Sequence, residues 1–181
     1  MGRLVRYNVA MSLDGFIAPP DESTGWIVED SSIDFAGLYD EFDFFIMGRK
    51  TYDVMRGMGP QNPLIGRSKD SVIVISRTLQ PGDHPDVTII SDGFIERIAS
   101  LKGQDGRDVW IMGGGWLAAA CLDAGLLDVM EMAIMPVLLR DGFKLMSAET
   151  GGAPFRLVAK SAQRLQTGIL MTAYNVEYTR K

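Results

Sequence analysis

"VWIMGGGWLAAACLDAGL", Val109 to Leu126, runs from an apolar strand through three glycines into a helix. Three consecutive glycines lose much conformational freedom on folding, so side chains must be in the way of something there. Two readings fit. One is a tight turn; the other is a phosphate, because a glycine turn opening a helix presents unpaired backbone N–H groups and the positive end of a helix dipole.

Outward from this stretch, short apolar runs predict strands over 42–48, 71–76, 87–90 and 108–113, with longer ones over 4–13 and 129–138. Their continuous apolar character suggests strands covered on both faces in a largely parallel sheet. Helices are expected over 31–42, 51–58, 93–102 and 116–125, the first capped by Ser31 or Ser32. Near the end, "RLVAKSAQRL" and the alternating "GILMTAYNVEY" flank a Thr167-Gly168 turn signal and predict an antiparallel hairpin. The sum is an α/β fold with a mixed, mostly parallel central sheet flanked by helices, as a single domain over 1–181.

With 18 basic and 23 acidic side chains the net charge is -5, which gives no reason to expect a nucleic-acid partner. One cysteine, Cys121, and one histidine, His84, exclude a disulfide framework and a Cys/His zinc site, so no metal is expected. Cys121 reads as a buried small hydrophobe and His84 as a loop residue in "PGDHPD". The absence of a signal-peptide pattern or a membrane-length apolar run makes a cytoplasmic location, away from membranes, the expectation.

Ligands of such folds bind beyond the carboxyl ends of parallel strands. Three motifs lie there. Gly113, Gly115 and Ala118 match the G-x-G-x-x-G/A dinucleotide fingerprint, but that fingerprint belongs to the first strand–turn–helix unit, and here it comes late. The acidic residue expected about twenty positions on is also missing. In "FFIMGRKTYDVM", Gly48 ends a strand and Arg49, Lys50 and Thr51 open a helix. Basic residues oppose the dipole at that end unless an anion is bound, so these four read as a phosphate site, the alternative being a solvated loop with two surface charges. Ser76, Arg77 and Thr78 repeat the idea at another strand end.

These residues carry a resemblance. "VAMSLDGFIA" (9–18), "DFFIMGRKTY" (43–52), "VISRTL" (74–79), "VWIMGGGWLAAACLDAGLLD" (109–128) and "MPVLLRDGFKL" (135–145) stand in an order that resembles the dihydrofolate reductase-like superfamily. Within it, the chain looks like the carboxyl-terminal reductase domain of the bifunctional riboflavin-biosynthesis protein, RibD.

The resemblance implies NADPH as cofactor. Gly48, Arg49, Lys50 and Thr51 would cradle phosphates, Ser76, Arg77 and Thr78 would meet the 2′-phosphate, and Gly113, Gly114 and Gly115 with the amides of Trp116 and Leu117 would accept the pyrophosphate. Ala10, Ile17 and Ala18 match positions at the nicotinamide end. Trp26 resembles a loop tryptophan beside the substrate, and Asp34, with Asp30 as the other candidate, matches the acid that orients and polarises it. The family's glutamate after the aspartate is here Val129, so its role does not transfer to Glu131.

The implied activity is NADPH-dependent hydride transfer to a small pteridine, pyrimidine or carbonyl compound. The rebuilt loop "APPDESTGWIVED" argues against dihydrofolate itself, and the zinc deaminase motifs of the bifunctional enzyme are absent. The rival is an NADP(H)-binding protein, a sensor or binding module, without turnover. As in the riboflavin-type relatives, the carboxyl-terminal strands and "MEMAIMPVLL" are expected to form a homodimer face.

Overall fold

A computed structural model describes residues 2–147 and 154–178. Its strands are β1 (Val5–Ser12), β2 (Phe16–Ala18), β3 (Phe42–Gly48), β4 (Val72–Ile75), β5 (Thr88–Ile90), β6 (Asp108–Gly113), β7 (Val129–Met135), β8 (Phe143–Lys144), β9 (Arg156–Arg164) and β10 (Leu170–Glu177). The α-helices are α1 (Phe35–Asp40), α2 (Arg49–Gly57), α3 (Phe94–Lys102) and α4 (Gly115–Asp123).

Eight strands share one sheet in the order β5-β4-β3-β6-β1-β7-β10-β9. Neighbours from β5 through to β7 are parallel, and β10 then pairs antiparallel with β7 and β9. Two apolar layers sandwich this sheet because its central strands are apolar on both sides. On one face Val5, Tyr7, Val109 and Ile111 pack against Ile98 and Leu101 of α3 and Leu117, Ala118 and Cys121 of α4. On the other, Phe45, Met47, Val74 and Trp110 pack against Tyr52 and Met55 of α2, with Leu38 and Tyr39 of α1 beside them. β2 and β8 form a separate two-stranded antiparallel sheet that the apolar pattern did not signal.

Four elements differ from expectation in their bounds, two of them for identifiable reasons. The first helix is six residues rather than twelve, and its cap is Asp34, whose carboxylate accepts the Gly37 N–H at 2.9 Å. Upstream, Asp30 accepts from the Ser32 N–H and hydroxyl, a local turn that competes with helix and displaces the expected Ser31 or Ser32 cap. β7 stops at Met135 instead of 138 because Pro136 has no N–H to continue the ladder. α2 and α4 each start one or two residues earlier than expected, directly at the end of the preceding strand.

Cys121 lies fully buried in the α4 layer, and burial pushes its thiol up to about 12. At neutral pH the native protein is therefore expected to resist alkylation by iodoacetamide, and to label stoichiometrically once unfolded in guanidinium. Labelling of the native protein at the rate of a free thiol would contradict this burial.

Candidate active site

A cleft of about 1130 Å³ opens at the carboxyl ends of the central parallel strands. Its floor is made by Val9 and Met112, one wall by the starts of α2 and α4, and the other by β2, the 22–27 loop and residues 142–147.

Two helix N-termini stand side by side there. β3 and β6 are neighbours, with Met47 in register with Gly113, so the turns that follow them meet. A Cβ on Gly48 would lie 3.7 Å from the Gly114 nitrogen. Neither α2 nor α4 has a side-chain cap or an acidic residue in its first turn. In α4 the first intrahelical bond is Ala118 N–H to Gly114 O, so the amides of Gly115, Trp116 and Leu117 precede the ladder. Arg49, Lys50 and Thr51 line the same wall. Adjacent dipole ends and unladdered amides make an environment for negatively charged oxygen, to which Arg49 and Lys50 add charge although Asp53 and Glu22 pair with them.

The three glycines have three different reasons. Gly113 sits at φ +125, where L side chains are strained, and a Cβ there would lie 3.3 Å from Thr51 Oγ1; it brings the two turns together. The Gly113-Gly114 peptide is cis. A Cβ on Gly115 would overlap the Lys144 carbonyl oxygen and lie 2.9 Å from that of Leu145. What comes close at Gly115 is the chain's own backbone. Only at Gly114 is the space beyond a Cβ open, with nothing within 4 Å, and Gly114 lines the cleft.

Of the sequence-predicted residues, the cleft gathers Ile17, Ala18, Trp26, Gly48, Arg49, Lys50, Thr51, Gly114, Gly115, Trp116 and Leu117. Ala10 is not in its lining; the neighbouring Val9 is, because successive strand residues point to opposite faces. Ser76, Arg77 and Thr78 lie just beside it, joined through Arg49 Nη1, which donates to Thr78 Oγ1 at 3.3 Å. The buried Ser76 Oγ accepts the Thr78 and Leu79 N–H groups and shapes that turn, while Arg77 is exposed and has no side-chain partner among the described residues.

Asp34 stands apart from expectation: it does not line the cleft, it is exposed, and its carboxylate is engaged in capping α1. Replacing it by Ala is expected to cost about 1 kcal/mol, a typical cap loss, and to lower the melting temperature by roughly 2–4 °C. A larger fall in ligand affinity than in stability would return it to the site. Asp30 is also engaged: the Ser32 hydroxyl first, then the Thr167 hydroxyl, hold its carboxyl down at about 2. The depressed value means that this tie to the β9–β10 turn is present above the ordinary carboxylate range and is lost only as pH falls through about 2. Glu131 is held by Arg6 through Nε (3.0 Å) and Nη2 (2.7 Å) and by Asn8 Nδ2 (3.2 Å), which leaves it a structural ion-pair partner.

Sequence reasoning missed Glu22 and the 142–147 segment. Glu22, at φ +60, lines the cleft and pairs with Lys50, whose ammonium also sits 4.1 Å from the Phe143 ring centroid. The Asp141-Gly142 turn signal was legible, but not that the chain beyond it returns to pair with β2 and pack on Gly115.

Fold and site together define a dihydrofolate reductase-like α/β protein with a cleft at the strand ends onto which two helix N-termini open. A family model for the RibD C-terminal domain matches residues 3–171, and the chain belongs to that family. It is 30% identical over 154 residues to the uncharacterized protein YwjB of Bacillus subtilis (strain 168), covering 82% of this chain and 86% of that one. A solved structure from Shewanella sp. PV-4, provisionally assigned to riboflavin biosynthesis, superposes with a TM-score of 0.77 at 23% identity, covering 98% of this chain and 100% of that one. Dihydrofolate reductase from Enterococcus faecalis, complexed with NADP(H), gives 0.65 at 14% identity, with 97% of each chain covered. No helix among the described residues is long and apolar enough to cross a membrane.

Proposed function

We propose that the protein is an NADPH-dependent reductase of a small pteridine, pyrimidine or carbonyl compound. The single observation that carries this reading is the pair of uncapped helix N-termini, α2 and α4, opening side by side onto one cleft with Arg49, Lys50 and the open position at Gly114. The residues fit a dinucleotide: amides and cations face its phosphates, and a missing Cβ leaves room for one of them.

When bound, NADPH supplies the hydride. The protein's own part is to bind and orient. The amides of Gly115 to Leu117 and the side chains of Arg49, Lys50 and Thr51 hold the phosphates, Arg77 meets the 2′-phosphate from the rim, and Ile17, Ala18 and Met112 offer apolar contact to the nicotinamide end. Trp26 and Ile27, on the loop across the mouth, screen the reacting centre from water.

One observation favours a second reading, an NADP(H)-binding protein without turnover. The expected acid, Asp34, is an exposed helix cap rather than a group aimed into the cleft. Titrating the protein's tryptophan fluorescence with NADPH and with NADH tests both readings. Tight binding of NADPH with much weaker NADH supports the cradle, and oxidation of bound NADPH by pterins, pyrimidines or small carbonyls then separates reductase from sensor. Binding of neither nucleotide would end both. The homodimer remains part of this reading, through the strands at the β9–β10 end of the sheet; a monomer mass by light scattering across a wide concentration range would remove it.

A further inference from the structure

At the opposite end of the sheet, where β1, β3, β4 and β6 begin, a second cavity of about 380 Å³ is lined by Arg3, Asp43, Phe44, Arg67, Ser68 and Arg107, with Asp70 and Ser71 beside them. The six- to eight-residue strands β1, β3 and β6 separate it from the cleft by roughly 20 Å. Nothing in the reductase reading uses it.

Its lining carries three arginines against two aspartates, Asp43 and Asp70. The paired cations elsewhere each have at least one carboxylate of their own: Arg6 meets Glu41, Asp108 and Glu131, Lys102 meets Asp128, Arg49 meets Asp53, and Lys50 meets Glu22. Here Arg3 and Arg107 share the one carboxylate of Asp43. Arg67 has no carboxylate partner among the described residues; its guanidinium lies 4.4 Å from the Phe45 ring centroid and donates to the Tyr39 carbonyl at 3.3 Å. Asp70 is exposed and makes no ion pair with any of the three. Three guanidiniums thus border one cavity in a chain whose net charge is -5.

The side chains are also held in place before any ligand arrives. Arg3 is only 8% exposed, donates to Asp43 and to the Arg107 carbonyl, and lies against Gly106, where a Cβ would overlap its guanidinium. Its Nε is buried and has no acceptor among the described residues. Arg107 is fixed by Asp43 Oδ1 at 2.8 Å and the Asp40 carbonyl at 2.9 Å. An orphan donor among excess fixed cations marks a corner short of negative charge.

We propose that this cavity is a second binding site, for a phosphate group, either free or carried as the monoester of a small molecule. Arg67 and Arg107 supply planar, fork-shaped donors matched to tetrahedral oxyanions, the Ser68 hydroxyl supplies a further donor, and Phe44 offers an apolar wall to whatever carries the phosphate.

The test is thermal melting of the full chain in inorganic phosphate against chloride at matched ionic strength, repeated with glycerophosphate. Because the cleft also attracts anions, the measurement is made in wild type, in an Arg49→Ala/Arg77→Ala background, and with Arg67→Met, which keeps the stem over Phe45 and removes the charge. The expected result is a phosphate-dependent rise in melting temperature that survives the cleft substitutions and an apparent phosphate affinity that falls at least tenfold with Arg67→Met. Tighter binding of glycerophosphate identifies a monoester, and equal or weaker binding identifies the free ion. Absence of any rise, or a rise lost in the cleft background and untouched by Arg67→Met, overturns the second site while leaving the cofactor cleft intact.

Discussion

Gly115→Ala is expected to lower the melting temperature by roughly 5–10 °C, while Gly114→Ala leaves it nearly unchanged and weakens NADPH binding about tenfold or more. The two positions are adjacent in sequence and opposite in consequence. At Gly115 the added methyl meets two backbone carbonyl oxygens, of Lys144 and Leu145, and backbone cannot swing aside as a flexible side chain does. Overpacking of this kind costs about 1–3 kcal/mol and sometimes more, and in a domain of this size each kcal/mol moves the midpoint by roughly 2–4 °C. At Gly114 the methyl meets no protein atom within 4 Å and the backbone is extended, so the fold tolerates it. It projects instead into the space where a phosphate would approach the α4 amides. Thermal melts and NADPH titrations of both variants separate packing from ligand clearance. Unaltered affinity in Gly114→Ala would take the phosphate away from this turn.

The second large effect is selective rather than structural. Arg77→Ala is expected to weaken NADPH by roughly 10- to 100-fold, from loss of charge-assisted bonds of about 1.5–3 kcal/mol, and to change NADH by less than about twofold. Arg77 is exposed beside the cleft and is not committed to any partner among the described residues, so its removal leaves the fold unaltered. Arg49, which lines the cleft, is the control: Arg49→Ala is expected to weaken both nucleotides alike. The comparison belongs at low ionic strength, because exposed charges are screened within about 10 Å at 0.1 M salt. Equal losses of NADPH and NADH on removal of Arg77 would detach the 76–78 turn from the 2′-phosphate.

Much of this architecture was legible before any coordinates. The central strands announce themselves as unbroken apolar runs, and β3, β4 and β6 fall within about a residue of expectation because burial on both faces leaves little choice of residue type. The motif at Gly48 was equally plain, since cations at a helix start oppose its dipole, and the run of three glycines before α4 stood out by its conformational cost. What failed was what a linear reading does not contain. Ala10 was assigned to the cleft where the structure puts Val9, and a strand pattern that is apolar on both faces does not say which parity looks at the ligand. Asp34 was placed by offset in a longer helix; the Asp30–Ser32 turn shortened that helix and turned the same carboxylate into a cap. The Glu22–Lys50 pair and the return of residues 142–147 across the cleft are contacts between distant segments, each ordinary in its own neighbourhood.

The contact between Gly115 and the 144–145 carbonyls sets a gauge for the cleft. The spacing of α4 from the far wall is set there by main chain against main chain, and that far wall is itself packed main chain on main chain at Gly142, where a Cβ would overlap the Ala18 carbonyl. Residues such as Trp26, Ile27 and Phe143 line the opening without determining how far it stands apart. Substitutions at those three positions are therefore expected to change what the cleft accepts more than how far its walls stand apart. In the proposed reductase, the scaffold would keep its grip on the cofactor half of the reaction while the substrate half is free to drift.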